Sequence, residues 1–99
     1  MILRLASKAT LRRYHLSAEQ YLAILELQGG VCAICGGRRP YALHIDHDHL
    51  TGRVRGLLCK RCNHRLLPAS LDGQLLAGAA AYLAHPPAFS VVESTHADP

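Results

Sequence analysis

Apolar residues recur with a helical period between positions 17 and 28. The residues that share one face at this spacing are Tyr21, Leu22, Leu25 and Gln28. Ser17 can cap the first turn, and Gln20 stands three positions later, where a capping box places Glu or Gln. Gly29 and Gly30 follow, and glycine commonly ends a helix. The pattern predicts an amphipathic helix over Ser17–Gln28.

Shorter segments downstream predict a hairpin and two further helices. The expected elements are a strand over Tyr41–Ile45, a turn at Thr51 and Gly52, a strand over Val54–Leu58, a helix over Lys60–Leu67 and a last helix over Leu71–Ala84. We predict one small α+β domain over residues 17–85. Residues 1–16 form a basic arm that contacts nucleic acid or frays, and residues 86–99 form a disordered tail, because they are small, polar and aperiodic.

Charge is distributed unevenly along the 99 residues, whose formal net charge is +4. All eleven Lys and Arg lie in residues 1–65 together with four acids, so this part carries a formal charge of +7. Residues 66–99 contain three acids and no basic residue. A basic front of this kind suits a polyanion such as nucleic acid, and ordinary solvated surface charge is the alternative.

The sequence favours a cytoplasmic protein without a membrane span. Its longest apolar run, Leu75–Ala84, is far shorter than the roughly 20 residues that a membrane span needs. Arg4 and Lys8 interrupt any apolar core of a secretory signal. An organelle transit peptide is the alternative interpretation of the basic N-terminal residues.

The four cysteines form two C-x-x-C pairs, Cys32 with Cys35 and Cys59 with Cys62. Zinc prefers four soft ligands in a tetrahedron, and each C-x-x-C pair can place two thiolates on one metal ion. We therefore predict one structural zinc, with a redox dithiol or a disulfide as the alternative. A zinc knuckle, a hairpin and a helix that carries the second pair follow one another in the order of a treble-clef zinc fold.

Three histidines and two acids lie between His44 and His49. A zinc site of four cysteines does not need them, whereas phosphodiester hydrolysis needs a base and oxygen ligands for Mg²⁺. A neutral imidazole can take a proton from water near pH 7, and a carboxylate such as Asp46 can hold Mg²⁺. Asn63, after the second knuckle, offers another oxygen. A second metal site or a hydrated polar turn is the alternative for this cluster.

The candidate pair of Asp46 and His47 sets one geometric condition. Consecutive residues of a regular strand point to opposite faces of the sheet. Both side chains can therefore reach one phosphate only if the strand ends or twists between them.

The zinc knuckles and the histidine cluster together resemble the phage recombination endonuclease VII family of His-Me finger (HNH) nucleases. The matching pattern, over about residues 14–84, is QGGVCAICGG…HIDHDHLTGRVRGLLCKRCN followed by a late helix with Tyr82 and Leu83. The resemblance implies a zinc-stapled ββα-metal core. It implies that Asp46 and Asn63 ligate Mg²⁺ or Mn²⁺, that His47 is the general base, and that His49 contacts or polarises the scissile phosphate. Leu66 departs from the junction resolvase of this family, which has an acidic side chain there.

These observations predict a metal-dependent DNA endonuclease that leaves 5′-phosphates, phage-encoded and acting in the host cytoplasm. The alternative is a non-catalytic zinc module that binds nucleic acid. The predicted partner of the endonuclease is duplex or branched DNA. Its two outer helices, predicted over Ser17–Gln28 and Leu71–Ala84, offer a surface for a homodimer. The residues expected to contact phosphates are Arg53, Arg55, Lys60, Arg61 and Arg65, with Arg12 and Arg13 before them. Asp46→Ala and Asn63→Ala are expected to abolish cleavage and to leave the fold intact.

Overall fold

The architecture is a two-stranded antiparallel sheet accompanied by short helices, and the computed structural model describes residues 4–48, 50–66 and 73–92. Its elements, in chain order, are helix α1 (Lys8–Arg13), helix α2 (Ala18–Leu27), strands β1 (His44–His47) and β2 (Val54–Leu58), a π-helical segment (Cys62–Leu66), helix α3 (Gly73–Ala84) and a 3-10 turn (Pro87–Ser90). The predicted α+β class is confirmed. Within these ranges, no helix is long and apolar enough to cross a membrane.

Helix α2 has the predicted capping box. The Ser17 hydroxyl accepts the backbone N–H of Gln20 at 3.0 Å, and the Gln20 side chain accepts the backbone N–H of Ser17 at 2.9 Å. The helix ends before Gly29, whose φ of 71° is a conformation that favours glycine. Its buried residues are Tyr21, Ile24 and Leu25. Local sequence therefore sets both ends of this helix, and its apolar face packs into the core.

Gln28 joins the end of α2 to β2 through its side-chain amide. Its Oε1 accepts the N–H of Leu57 at 2.9 Å, and its Nε2 donates to the carbonyl of Leu57 at 2.9 Å. The amide thus pairs with both backbone groups of Leu57, as a neighbouring strand would. The same Nε2 also donates to the carbonyl of Val31 at 2.9 Å. These bonds attach α2 to the sheet and satisfy backbone groups that β1 leaves unpaired.

Helix α1 stands where the sequence predicted a basic arm or a frayed leader. The Ser7 hydroxyl accepts the backbone N–H three residues later at 3.2 Å and begins the helix. His15 adopts a φ of 59°, and the N–H of Leu16 bonds to the carbonyl of Leu11 at 2.9 Å, which closes the helix in a Schellman motif. Leu11 and Leu16 are both buried. The expectation of a frayed leader is wrong for residues 8–16, because these two leucines contribute to the core despite the basic residues around them.

The hairpin differs from the prediction in its first strand. Strand β2 has the predicted bounds, but β1 spans His44–His47 instead of Tyr41–Ile45. His44 pairs with Leu58, the last residue of β2. The chain leaves the sheet at Cys59. The residues before His44 therefore have no part of β2 beside them with which to pair.

The C-terminal part also differs from the prediction. Residues 86–92 were expected in a disordered tail, but Pro87–Ser90 form a 3-10 turn, and Ala88 and Val92 are buried. The expectation is wrong there, because small apolar side chains can fill core space without any periodic pattern. The predicted helix over Lys60–Leu67 is mainly the π-helical segment, and residues 67–72, which include its predicted end at Leu67 and the predicted start of the last helix at Leu71, lie outside the described ranges.

Candidate functional site

The sulfur atoms of the four cysteines form one cluster. They all lie within 4.8 Å of one another, and the Sγ atoms of Cys35 and Cys59 are 3.8 Å apart. Two thiolates bound to one tetrahedral zinc, at about 2.3 Å each, are separated by about 3.8 Å. Cys32, Cys59 and Cys62 are buried and Cys35 is half-buried. The four predicted ligands are therefore together, and their number, softness and spacing fit one zinc ion.

The surroundings of the cluster favour the thiolate of Cys59, whereas burial raises the pKa of Cys32 and of Cys62. Burial opposes the ionisation of Cys59, but hydrogen bonds from Cys62 and the other cysteines outweigh it and lower its pKa to about 7. The backbone N–H of Gly37 approaches Cys35 Sγ at 3.3 Å. Arg39 Nη2 lies 3.8 Å from Cys35 Sγ and 3.9 Å from Cys59 Sγ. Arg39, which the sequence did not single out, thus supplies positive charge beside the cluster.

A β-bulge interrupts the hairpin at the candidate catalytic pair. Asp46 pairs with Gly56, but His47 pairs with Val54, so Arg55 is an extra residue on β2. A bulge bends the strand and increases its twist, which changes the direction of the neighbouring side chains. Strand β1 also ends at His47. The sequence required that the strand end or twist at Asp46 and His47. The bulge and the end of β1 both meet this condition.

Asp46 is buried and accepts hydrogen bonds from two side chains. Arg55 donates from Nε to Oδ2 at 2.8 Å and from Nη2 to Oδ1 at 3.1 Å, and the Tyr82 hydroxyl donates to Oδ2 at 2.7 Å. Burial, together with the charge of Asp46 and this hydrogen bond, raises the pKa of Tyr82 well above its ordinary value. Burial lowers the pKa of Arg55, but its hydrogen bonds to Asp46 and the charge of Asp46 raise it by more. The net effect is a raised pKa. Both partners stay protonated and act as donors at neutral pH.

This contact changes the interpretation of Arg55. The sequence assigned its guanidinium to a DNA phosphate or to solvated surface charge, but the structure pairs it with Asp46. Gly56 permits the approach of Tyr82, because a Cβ at this position would lie 2.7 Å from Tyr82 Cε1 and 2.9 Å from its hydroxyl oxygen. The hairpin and α3 therefore meet at the Asp46 carboxylate.

Asn63 lines a cavity of about 390 Å³ between α1 and β1. Other residues that line this cavity include Arg13, Tyr14, His44 and His64, whose side chains are charged, aromatic or ionisable. Asp46 and His47 are not among its lining residues, but the cavity includes Ile45, the residue before Asp46. Tyr14 connects it to the candidate catalytic pair, because the rings of Tyr14 and His47 are 5.1 Å apart. Burial and the charges of His64 and Lys60 lower the pKa of His44, so its imidazole stays neutral near pH 7.

The other predicted phosphate contacts lie in separate surroundings. Arg53 stacks on Phe89, with its Cζ 3.1 Å from the ring centroid, and the Lys60 ammonium lies 5.1 Å from the Tyr41 ring centroid. Arg61 lies beside the cysteine cluster, where the negative charge of Cys35 raises its pKa. Arg12 and Arg13 end α1. His49 and the side chain of Arg65 lie outside the described part of the chain.

Several residues of this site escaped the sequence analysis. Tyr82 was noticed as part of the family pattern, but nothing indicated its contact with Asp46. Tyr14 and Phe89 belong to no sequence motif. Their ring contacts with His47 and Arg53 form only when the two ends of the chain fold against the hairpin. A partial signal for Tyr82 was Gly56, a glycine inside a strand, which often marks a close approach.

Comparisons with known proteins support the assignment of a family. The family model for recombination endonuclease VII matches residues 7–85, so the chain belongs to this family and the resemblance drawn from the sequence is confirmed. The Gene 59 protein of Mycobacterium phage D29 is 48% identical over 86 residues, and the Gene 59 protein of Mycobacterium phage L5 is 41% identical over 85 residues. Each match covers 83% of this chain and 52% of the relative, so the chain spans about half the length of these curated relatives. No solved structure matches it.

Proposed function

We propose that this member of the recombination endonuclease VII family is a metal-dependent endonuclease that hydrolyses phosphodiester bonds of DNA and leaves 5′-phosphates. The observation that supports this most is the bulge between Asp46 and His47. The extra residue Arg55 lies opposite the step from Asp46 to His47, so these two side chains need not follow the alternation of a regular strand. The resemblance drawn from the sequence makes this pair the proposed catalytic centre.

His47 is the proposed general base. A neutral imidazole can take a proton from the attacking water near pH 7. The Tyr14 ring, packed at 5.1 Å and tilted by 46°, restricts the orientations of the imidazole. As water bonds to phosphorus, the bond to O3′ breaks and the leaving oxygen takes a proton from solvent, which gives a 5′-phosphate and a 3′-hydroxyl. His49 is proposed, on the family resemblance, to contact the scissile phosphate.

Asp46 and Asn63 are the proposed ligands of Mg²⁺ or Mn²⁺. Both offer side-chain oxygens, which are the donors that these hard cations prefer. Asn63 lines a cavity that Asp46 does not line, so the pairing of these two ligands rests on the family resemblance. When bound, such a cation stabilises negative charge on the phosphate and on the leaving oxygen.

The zinc cluster is proposed to hold these parts together in a treble-clef, His-Me finger arrangement. Its first pair of cysteines precedes β1, and its second pair brackets the start of the segment that carries Asn63. One zinc ion therefore connects the chain on both sides of the hairpin. A closed site of four cysteines leaves no position for water, which makes its role structural.

DNA is proposed to bind along the basic part of the chain. Arg12, Arg13, Arg53 and Lys60 are the described candidates that do not pair with Asp46 or lie beside the zinc cluster, and Arg65 is retained from the sequence. Phosphate contacts position a substrate without reading its sequence. We therefore expect sequence-tolerant nicking of duplex DNA.

The direct test compares three proteins on supercoiled plasmid with Mg²⁺, namely the zinc-loaded wild type, His47→Ala and His85→Ala. His85 is an exposed histidine after α3 and serves as the matched control. We expect nicking by the wild type and the control, none without Mg²⁺, and a loss of several orders of magnitude in His47→Ala. Nicking by His47→Ala at the wild-type rate would refute the assignment of the base.

A non-catalytic DNA-binding module is the second candidate. The observation that favours it is the engagement of both Asp46 oxygens by Arg55 and Tyr82, which a purely structural acid would also show. The same plasmid separates the two functions. A gel shift without nicking, in Mg²⁺ and in Mn²⁺, would support the binding module.

A further inference from the structure

Tyr82 and Arg55 enclose the Asp46 carboxylate from two different elements. Arg55 belongs to β2, at the bulge, and Tyr82 belongs to α3, 36 positions after Asp46. A metal ligand by itself requires neither partner. The contact of both residues with one buried acid therefore needs an explanation.

The lone pairs of the Asp46 carboxylate show which acceptor positions Arg55 and Tyr82 leave unused. An ionised carboxylate has about four acceptor positions, two on each oxygen. Oδ2 accepts from Arg55 Nε and from the Tyr82 hydroxyl, which fills both of its positions. Oδ1 accepts from Arg55 Nη2, which leaves one position. Among the described residues, three donated hydrogen bonds therefore direct the carboxylate so that Oδ1 alone can accept a further partner.

We infer that Tyr82 is a positioning residue, which together with Arg55 orients Asp46 to offer one Oδ1 lone pair to a divalent cation. The inference rests on the proposed function of Asp46 as a metal ligand. Any rotation of the carboxylate would break a charge-assisted hydrogen bond in buried surroundings, which is costly. A ligand held in this way loses little freedom when it binds a metal ion.

Gly56 belongs to the same arrangement. It pairs with Asp46 across the hairpin, and the Tyr82 ring occupies the space that a side chain at position 56 would fill. An added Cβ, at 2.7 Å from Tyr82 Cε1 and 3.1 Å from Pro87 Cγ, would force the ring to move. Gly56→Ala therefore tests the position of the Tyr82 hydroxyl without removing it.

The test uses Tyr82→Phe, which removes one neutral hydroxyl and no charge. Tyr21→Phe is the matched control, because Tyr21 is also a buried tyrosine, and its hydroxyl donates to the carbonyl of Leu43 at 2.7 Å. Both variants lose one buried hydrogen bond, but only Tyr82 contacts Asp46. Mn²⁺ binding to the zinc-loaded full chain, without DNA, is followed by the electron paramagnetic resonance signal of free Mn²⁺, and kcat and KM are measured on supercoiled plasmid.

We expect Tyr82→Phe to weaken Mn²⁺ binding and lower kcat by about 10- to 100-fold, the range found when the outer contact of a metal ligand is lost, with little change in KM for DNA. Tyr21→Phe should stay within about twofold of the wild type in both quantities, since it does not touch the ligand. Gly56→Ala should resemble Tyr82→Phe, and the double variant should lose no more than either single one.

Three outcomes would overturn the inference. Equal Mn²⁺ affinity in Tyr82→Phe and the wild type refutes it while the proposed function stands. Equal losses in Tyr82→Phe and Tyr21→Phe refute it as well, because the effect would then be general destabilisation. A wild type that neither binds Mn²⁺ nor nicks plasmid refutes the proposed function and the positioning role together, and this failure is visible in the wild type alone.

Discussion

Replacing Asp46 by alanine should strongly destabilise the protein as well as stop cleavage. The sequence alone led to the opposite expectation, because a residue assigned only to a catalytic metal can be removed without harm to the fold. In the structure, Asp46 is the acceptor for Arg55 and Tyr82. Asp46→Ala leaves a buried guanidinium and a buried phenol without their partner.

The size of the effect follows from burial. Asp46 and Tyr82 are each 4% exposed, and the Arg55 side chain is 17% exposed. Breaking a buried ion pair by removing one member costs about 3–5 kcal/mol, and the partial access of water to Arg55 places this case near about 3 kcal/mol. A domain of this size has a total stability of about 5–15 kcal/mol. The variant should therefore fold, with its Tm lowered by about 12–24 °C.

Thermal unfolding of the zinc-loaded protein, followed by circular dichroism, measures this effect. Asp48→Ala is the matched control, because Asp48 is an acid on the same hairpin whose Oδ1 accepts the N–H groups of Leu50 and Thr51 in the turn. It should cost about 1 kcal/mol. A second variant that also replaces Arg55 by Met should recover part of the loss, since no unpaired guanidinium remains. A Tm for Asp46→Ala within about 4 °C of the wild type would refute the reasoning.

Four further predictions concern the zinc cluster, a helix cap, the second proposed ligand and salt. Metal analysis should find about one zinc per chain, and Cys59→Ser should unfold the domain, because structural zinc contributes about 10 kcal/mol or more; a cooperative melt without zinc would contradict this. Ser17→Ala removes the capping box of α2 and should lower the free energy of unfolding in urea by about 1 kcal/mol, whereas an unchanged midpoint would show the cap to be unimportant. Asn63→Ala should abolish nicking yet keep its Tm within a few degrees, and nicking at the wild-type rate would exclude Asn63 as a ligand. Binding to linear duplex DNA should weaken steeply up to about 200 mM salt, and cleavage confined to a four-way junction would contradict sequence-tolerant nicking.

Local sequence was sufficient for the elements whose signals lie within a few residues of one another. The capping box of Ser17 and Gln20 joins neighbours three positions apart, and strand β2 has the bounds that its apolar run predicts. The cysteine spacing identified the four residues of the sulfur cluster. The family followed from the same motifs, because zinc knuckles, the histidine cluster and Asn63 occur in one order.

Packing decided the elements that the sequence analysis missed or displaced. Leu11 in α1 and Ala88 in the 3-10 turn are single apolar residues among polar or small ones, so their burial depends on what the rest of the chain leaves uncovered. The start of β1 at His44 depends on where β2 ends, since a strand needs a partner.

The sequence by itself therefore determined the family, the α+β class, the cysteine cluster and the identity of the candidate catalytic pair. Tertiary structure alone decided that a bulge separates Asp46 from His47, that Arg55 turns to Asp46, and that Tyr82 arrives there from α3. The physical reason is distance along the chain. A cap or a metal knuckle is complete within a few residues, whereas the contact of Asp46 with Tyr82 spans 36 positions and forms only when Gly56 lets a helix approach the sheet.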